Sequence, residues 1–310
     1  MRILFMGSGD VACPALEALL AHPDFTVAAV VTQPDRPKGR HRRLAACPAK
    51  ICAETAGVPV WTPERVGAPD AVTAIKELAP DIIVVAAYGQ YIPESILAIP
   101  PLEAINVHPS LLPKYRGATP IQWAVANGES TTGVTILYVS KAMDAGDLLA
   151  QRTQPIADTD TAATLTPILS RLGATLLIEV LQKLAAGRAQ RQPQDETQAT
   201  TVYKLNKEDG RVNWQRPARE IYNRMRGFTP WPGCFTYAND RLLKIHWAEV
   251  VPTACKDVPG TVRACDDQGV LVATGEQCLR LLDVQPEGKT VMPAAAYVCG
   301  HAVLPGQVFT

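Results

Sequence analysis

An asparagine and a histidine occupy alternate positions at the end of an apolar run, and their amide and imidazole groups could take part in catalysis. The run spans residues 104–108, with Asn106 and His108 two residues apart and Pro109 after them. A strand repeats every two residues, so both side chains share one face of the predicted strand. Proline cannot donate to a sheet ladder, so the strand should end beside them. Because burying an unpaired amide or imidazole costs a few kcal/mol, both require a polar partner or a substrate.

A carboxylate follows a later run of the same kind. Residues 134–139 predict a strand, and Asp144 lies in the segment 140–147 directly after it. We expect this strand to neighbour the first one and to bring Asp144 to the edge that carries Asn106 and His108. Amide, imidazole and carboxylate together suit acyl transfer, since they supply a donor for a developing oxyanion, a proton carrier and a group that orients the carrier.

Alternating strands and helices should position these residues. The alternation predicts a Rossmann-like, doubly wound, mostly parallel sheet with right-handed crossovers, and such open α/β folds bind ligands at the carboxyl edge of the sheet. Thr119-Pro120 predicts a further helix whose first turn is capped by the threonine hydroxyl. The predicted strands are 2–6, 26–32, 81–86, 104–108 and 134–139, and the predicted helices are 13–21, 46–56, 68–78 and 161–185.

A second domain follows a polar segment. Residues 190–198 lack periodicity and have the composition of a linker. We therefore expect a catalytic domain over 1–189, a linker over 190–204 and a second domain over 205–310. Short strands punctuated by Gly and Pro favour a small β-barrel there. Its elements are a helix at 218–227 and strands at 242–251, 261–263, 270–273 and 279–284.

Composition narrows the class of protein. The chain has 310 residues and no net charge, so a polyanionic partner requires a local basic patch. The run before Gly7 is too short for a signal peptide or a membrane span, so we expect a cytoplasmic protein without membrane association. No obligate protein partner is evident in the sequence, so we expect a monomer. None of the eight cysteines forms a Cys-x-x-Cys pair or has histidines at ligand spacing, which favours free thiols over a metal site.

A glycine motif after the first strand raises another possibility. Gly7-Ser8-Gly9-Asp10-Val11-Ala12 fits the dinucleotide-binding fingerprint. That fingerprint requires an acid at the end of the second strand, whereas Asp35 lies beyond Pro34 in a basic loop. We therefore expect these glycines to form a tight strand-to-helix turn rather than a nicotinamide site.

The chain resembles the folate-dependent formyltransferase family. The pattern Asn-x-His-x-Ser-Leu-Leu-Pro-x-x-Arg-Gly lies at 106–117 and Asp-x-Gly-Asp at 144–147, and the stretches 32–40, 86–93 and 228–233 also match. The resemblance implies the formyltransferase fold with a C-terminal OB-like β-barrel domain. It also implies 10-formyltetrahydrofolate as co-substrate and initiator methionyl-tRNA as acceptor. We expect no metal, because formyl transfer generates no phosphate charge and the site lacks ligand spacing.

The resemblance assigns roles to individual residues. Asn106 and His108 would donate to the oxyanion, while Asp144 would hold His108 and help to carry a proton from the attacking amine. The residues expected to bind the folate are Tyr88, Gly89, Gln90, Tyr91, Ile92, Pro93, Ser110, Leu111, Leu112, Pro113, Val139, Ser140, Lys141, Ala142 and Met143. Ala142 stands where the family usually has glycine, and a positive φ there would cost of order 1 kcal/mol.

A cluster of basic residues follows the second strand. Its prolines and glycine argue against a helix or a strand, and exposed charge runs commonly have no partner. The sharper interpretation is that the cluster neutralises phosphates at the acceptor end of the tRNA. The cluster consists of Arg36, Lys38, Arg40, Arg42 and Arg43.

Other activities share the same core. A 10-formyltetrahydrofolate hydrolase or a sugar-amine N-formyltransferase would also contain Asn106, His108 and Asp144. A folate- or RNA-binding module without turnover is a further alternative, although the intact triad argues against it. In the second domain, Trp231 lies between Pro230 and Pro232, and we expect it to pack between helix and barrel rather than to contact tRNA.

Overall fold

A computed structural model describes residues 1–38, 43–300 and 303–310, and it divides the chain into two compact units. Unit 1 comprises Met1–Gly117, Thr131–Pro155 and Thr166–Val202, and unit 2 comprises Ala118–Ser130, Ile156–Leu165 and Tyr203–Thr310. The two units are interleaved along the chain, since unit 2 takes two short segments from between the segments of unit 1. The predicted division into domains over 1–189 and 205–310, with a linker over 190–204, stays a prediction.

The helices and strands are numbered in chain order. The strands are β1 (Arg2–Gly7), β2 (Thr26–Val31), β3 (Arg36–Lys38), β4 (Arg43–Ala45), β5 (Val60–Trp61), β6 (Ile82–Ala86), β7 (Ala104–His108), β8 (Arg116–Gly117), β9 (Thr131–Tyr138), β10 (Leu148–Pro155), β11 (Thr201–Val202), β12 (Cys234–Ala238), β13 (Arg241–Val251), β14 (Val262–Asp266), β15 (Gly269–Ala273), β16 (Cys278–Pro286) and β17 (Met292–Pro293). The helices are α1 (Cys13–Ala21), α2 (Pro48–Thr55), α3 (Pro69–Leu78), α4 (Glu94–Leu97), α5 (Pro120–Ala126), α6 (Ala162–Ala185), α7 (Ala218–Gly227) and α8 (Ala294–Gly300).

Unit 1 is built on a seven-stranded sheet in the order β10-β9-β7-β6-β1-β2-β5. Strands β7, β6, β1, β2 and β5 run parallel to one another. All five residues of β6 are buried, as expected for a central parallel strand covered on both faces. The predicted mostly parallel, doubly wound sheet is confirmed. Strands β5 and β10 had not been predicted.

Strand β9 runs antiparallel to β7, so the expectation of a parallel fifth strand was wrong. The chain re-enters the sheet beyond the end of β7, since His108, the last residue of β7, lies opposite Thr135 and β9 begins four residues earlier, at Thr131. It must therefore run back along β7. Apolar alternation reveals that a segment is a strand but carries no information about its direction.

The basic segment forms part of a hairpin, which corrects the expectation that it contains no strand. Strand β3 pairs with β4 in antiparallel register, with Pro37 opposite Leu44. Proline is tolerated in such a two-stranded ribbon because an edge strand leaves one side of its backbone unpaired. Arg40 and Arg42 lie outside the described residues.

Helix α6 packs on the central sheet. A Cβ added at Gly173 would lie 2.8 Å from Cγ1 of Val107, so glycine allows the helix to approach β7 closely. By length and composition alone, α6 could cross a membrane, but half of its most apolar window is buried within the protein. The core helices of globular proteins can be equally long and apolar. The close contact between Gly173 and Val107 of β7 identifies α6 as a core helix.

Unit 2 contains an antiparallel sheet in the order β12-β13-β16-β15-β14, with β17 paired to β16. The predicted β-rich second domain is therefore confirmed as an antiparallel sheet domain. Helix α7 packs tightly against α5, because a Cβ added at Gly227 would lie 2.6 Å from the backbone of Ala126. The predicted hydroxyl cap of α5 is wrong: Thr119 has a left-handed backbone, and its hydroxyl donates to the carbonyl of Tyr203.

Candidate active site

Strand β7 presents Asn106 and His108 on one face. The ladder places Asn106 beside Val85 of β6 and Leu137 of β9, so the amide lies in the middle of the sheet. His108 is 4% exposed, and Asn106 is half-buried. Both side chains are removed from bulk water and depend on hydrogen-bond partners within the protein.

The carboxylate of Asp144 meets both side chains. Its Oδ1 accepts a hydrogen bond from Nδ2 of Asn106 at 3.2 Å, and its Oδ2 accepts one from the backbone N–H of Gly117 at 2.8 Å. The same Oδ2 lies 3.5 Å from Nδ1 of His108. The structure therefore brings the three predicted residues together, and their roles in catalysis stay a prediction.

His108 faces a hydrogen-bond acceptor on each side of its ring. Nε2 lies 3.0 Å from the carbonyl oxygen of Tyr115, and Nδ1 faces Asp144. A carbonyl can only accept, so Nε2 carries a proton. A neutral ring has no second proton for the carboxylate, whereas a doubly protonated ring donates to both partners.

Asp144 reaches the site by a different route from the one expected. Because β9 is antiparallel to β7, the segment after it must fold back over the sheet. Asp144 has a left-handed backbone with φ of 51°. Gly146 lies so close to Tyr138 that an added Cβ would be 1.9 Å from the Tyr138 carbonyl oxygen, so only glycine fits there. Ala142 does not have a positive φ, and the expected strain is absent at that residue.

The polar segment 190–202 contributes to the site, which the sequence did not reveal. The side-chain amide of Gln194 donates to the carbonyls of Asp144 and Gly146, both at 2.8 Å. Its Oε1 accepts hydrogen bonds from two nitrogens of the Arg116 guanidinium, Nε at 3.1 Å and Nη2 at 2.8 Å. Arg116 is 8% exposed and also pairs with Glu196. That pair raises the pKa of Arg116 and lowers the pKa of Glu196, mainly through their hydrogen bond.

A cleft of about 580 Å³ opens beside Asn106 and Asp144. It lies within unit 1, where the ends of β6 and β9 meet the segments that follow them. Eight of the fifteen predicted folate-binding residues line it: Gly89, Gln90, Tyr91, Ile92, Val139, Ser140, Lys141 and Met143. The sequence missed Val85, Leu137 and Tyr138, which also line the cleft; their position at strand ends was the available signal.

The other predicted folate-binding residues do not line this cleft. Ser110 is fully buried, and its hydroxyl donates to the carbonyl of Lys114. Leu112 packs with Leu137 and Leu148. Tyr88 is 2% exposed, and burial raises its pKa to about 12. The remaining members of this group are Pro93, Leu111, Pro113 and Ala142.

The glycine motif after β1 forms a close-packed turn. A Cβ added at Gly7 would lie 2.7 Å from the carbonyl oxygen of Ala86 on the neighbouring strand. Asp35, the acid nearest to the end of the second strand, pairs with Lys50 at 3.0 Å. Within residues 1–38, 43–300 and 303–310, no cluster of His, Cys, Asp or Glu is arranged to hold a metal ion.

Three of the predicted tRNA-binding residues lie in strands β3 and β4 of unit 1. Arg36 is exposed on β3, Lys38 ends that strand, and Arg43 begins β4. Arg40 and Arg42 belong to the part of the chain that the structure does not describe, so their expected contacts stay a prediction.

Family comparisons match both parts of the chain. A family model described as formyl transferase matches residues 1–181, and one described as formyl transferase, C-terminal domain, matches residues 204–302. A methionyl-tRNA formyltransferase from Desulfotalea psychrophila is 44% identical over 98% of this chain and 94% of its own length.

Solved structures share the fold. An N-formyltransferase from Helicobacter canadensis, in complex with folinic acid and dTDP-3-aminofucose, superposes with a TM-score of 0.67 at 18% identity, covering 91% of this chain and 99% of its own. HypX from Aquifex aeolicus, in complex with tetrahydrofolic acid, has a TM-score of 0.60 at 21% identity and covers 97% of this chain and 47% of its own.

Proposed function

Since the chain belongs to the formyltransferase family, we propose that it transfers the formyl group of 10-formyltetrahydrofolate to the amino group of methionyl-initiator tRNA. A relative with this activity in its name is 44% identical over 98% of the chain, which supports this choice of acceptor. The observation that carries the proposal is the cluster of Asn106, His108 and Asp144, of which Asn106 and Asp144 line the cleft. The product serves translation initiation, and we place the reaction in the cytoplasm and assign it to a single chain.

The cleft fits the folate donor in size and chemistry. Its volume of about 580 Å³ lies within the range of small-molecule sites. Val85, Ile92 and Leu137 give it apolar walls for a flat ring. The segment 139–141 also lines the cleft, and we expect its backbone to meet the polar edge of that ring. The donor supplies the formyl group. Asn106 and Asp144 lie at the same wall, where that group must be presented for transfer.

Asn106 and His108 stabilise charge during the reaction. Negative charge develops on the formyl oxygen when the amine attacks, and fixed donors aimed at that oxygen lower the barrier. Asn106 offers an amide N–H, which in the free protein is donated to Asp144. His108 offers the N–H of Nδ1, together with a positive charge, when its ring is doubly protonated, because Nε2 is engaged with the carbonyl of Tyr115.

Asp144 handles the proton of the attacking amine. The amine gains a positive charge as it bonds to the formyl carbon, so it must lose a proton. The carboxylate of Asp144 is half-buried and lies between Asn106 and His108, where it can accept that proton directly or hold His108 in place as carrier. The tetrahedral intermediate then collapses by breaking the bond between the formyl carbon and N10 of the folate, and that nitrogen takes up a proton as it leaves.

The β3–β4 hairpin and its connecting residues bind the acceptor end of the tRNA. The basic residues Arg36, Lys38, Arg40, Arg42 and Arg43 concentrate positive charge in a chain without net charge. Phosphates bound there release counterions, so the affinity should fall steeply with salt. Arginine also stacks on unpaired bases, which suits the single-stranded end of a tRNA.

One assay separates the proposed reaction from its rivals. The protein is incubated with donor labelled in the formyl group and, in parallel, with charged initiator tRNA, uncharged tRNA, a nucleotide-linked amino sugar or water alone. We expect label in formyl-methionyl-tRNA at a rate at least a hundredfold above every other arm. Faster transfer to the amino sugar, or release of formate at the same rate in all arms, would replace the proposed function with one of the other two activities.

A further inference from the structure

We infer that Gln194 is a positioning residue that sets the backbone of Asp144 for catalysis, an inference that rests on the proposed function. Gln194 lies in the polar segment that follows α6, outside every motif of the sequence. Nevertheless its side chain contacts the backbone of the residue whose carboxylate joins Asn106 and His108. The polar segment after α6 thus contacts the active-site loop directly, through the side chain of Gln194.

The side-chain amide of Gln194 bridges two hydrogen-bond acceptors and a hydrogen-bond donor group. On one side its NH2 group donates to the carbonyls of Asp144 and Gly146. On the other side its oxygen accepts from two nitrogens of Arg116. Carbonyls only accept and a guanidinium only donates, so the bridge requires a side chain that does both. Glutamate has no donor for the carbonyls, asparagine is one methylene shorter, and methionine has neither a donor nor a strong acceptor.

The backbone of Asp144 needs this support. Its φ of 51° is an uncommon conformation for a residue with a side chain, and such conformations persist when the surroundings fix them. The carbonyls of Asp144 and Gly146 converge on the single amide of Gln194, which fixes the turn between them. Rotation of that turn would move the carboxylate away from Asn106 and His108.

Arg116 connects both halves of the support. It holds Gln194, and the next residue, Gly117, donates its N–H to the Asp144 carboxylate. The backbone of Arg116 belongs to the β8–β11 ladder, and its N–H donates to the carbonyl of Thr200. The segment 190–202 therefore fixes Asp144 twice, at its backbone through Gln194 and at its side chain through Gly117.

The test compares Gln194→Met and Gln194→Glu with the matched control Gln198→Met. Gln198 lies in the same segment, and its amide donates to Asp195 rather than to the active site. Gln194→Glu retains an acceptor for Arg116, so it removes the hydrogen bonds to the carbonyls while the two from Arg116 persist. We expect both Gln194 variants to lower kcat about ten- to a hundredfold, since a displacement of about 1 Å can cost a hundredfold. The KM for the donor should change less than about threefold, and Gln198→Met should match wild type.

Combination with Asp144→Ala distinguishes positioning from general support of the loop. Without the carboxylate, its position no longer matters, so Gln194→Met should change single-turnover rates less than about twofold in that background. An equal loss in both backgrounds, or kcat within twofold of wild type for both Gln194 variants, would overturn the inference. So would a loss of activity that follows the fraction of unfolded protein.

Failure of the proposed function is a separate outcome. If the wild-type protein does not formylate charged tRNA, the proposed acceptor is wrong, and the same variants are then compared by the rate at which they release formate from the donor. Because that hydrolysis uses the same donor and the same Asp144, the predicted losses apply to it unchanged. Hydrolysis by the Gln194 variants at the wild-type rate would then overturn the positioning role.

Discussion

The Nδ1 atom of His108 lies 3.5 Å from Oδ2 of Asp144, while the opposite nitrogen of the ring faces the carbonyl of Tyr115. The imidazole thus faces a hydrogen-bond acceptor at both ends, and in the proposed reaction we expect Asp144 to be the partner whose contacts change when substrate binds. Donors now directed at Asp144 would then become available to the formyl oxygen as the carboxylate engages the amine. The three side chains should therefore act as a unit.

Substitution of the pair tests this coupling. His108→Ala and Asp144→Ala should each lower kcat on the order of a hundred- to a thousandfold, since His108 donates to the oxyanion and Asp144 holds His108 and takes up the proton of the amine. Residues that act together give non-additive losses, so the double variant should be little worse than the poorer single variant. Single-turnover rates provide the measurement, and donor binding serves as the control. Multiplicative losses in the double variant would contradict the coupled roles.

Replacement of basic residues in the hairpin region tests the tRNA interface. Arg40→Ala and Arg42→Ala should weaken binding of charged tRNA and reduce the slope of log affinity against log salt by about one for each phosphate that is no longer neutralised. Donor affinity should be unchanged. Arg188→Ala, at an exposed arginine elsewhere in unit 1, is the control and should have no effect. Unaltered tRNA kinetics after replacement of all five basic residues would remove this region from the interface.

Exposure reverses the expected role of Trp231. The indole is 54% exposed, so the prediction that it packs between helix and barrel was wrong. Trp231→Ala should lower the free energy of unfolding by only about 1 kcal/mol or less. Trp214 is the control, because it is 4% exposed and its indole N–H donates to Thr236. Trp214→Ala should cost about 3–5 kcal/mol in the same denaturant titration. Equal losses in both variants would restore the packing role.

Thiol reactivity checks the burial of the cysteines. Burial raises the pKa of the Cys234 thiol to about 12, so at pH 8 only about one molecule in ten thousand carries the reactive thiolate. A raised pKa means that reactivity appears only as the pH approaches that value or the protein unfolds. Mass spectrometry after alkylation at pH 8 should therefore find Cys299, which is exposed, modified and Cys234 intact. Rapid modification of Cys234 in the folded protein would contradict its buried position.

Sequence patterns predicted the elements of the site better than their connections. Strand β7 and helix α6 were predicted because apolar periodicity reflects burial, and burial is what the sheet imposes on them. The direction of β9 was not, because alternation is the same for either direction. We predicted that Asn106, His108 and Asp144 would lie together because each lies at or after the end of a strand. The left-handed backbone conformation that places Asp144 there could not be predicted from the sequence pattern.

Polar residues outside regular elements were the least predictable. Gln194 lies in a segment whose composition is that of a linker. The identity of the residue does not show whether the side chain of a glutamine hydrogen-bonds to a distant backbone or is exposed to solvent. Trp231 shows the complementary difficulty: its flanking prolines restrict the backbone, but they do not determine whether the side chain meets the protein or water. Both properties depend on tertiary contacts that are distant in the chain.

The interleaving of the two units limits how the protein can be divided for expression. Helix α5 precedes β9 in the chain, yet it belongs to unit 2, where its buried residues pack on α7. A fragment that ends at residue 202 would retain α5 without α7, leaving the apolar surface of Ile121 and Trp123 uncovered and prone to aggregate. A fragment that begins at residue 203 would lack the helix that fills its core. No single cut yields two self-sufficient pieces, so studies of either half require the intact chain.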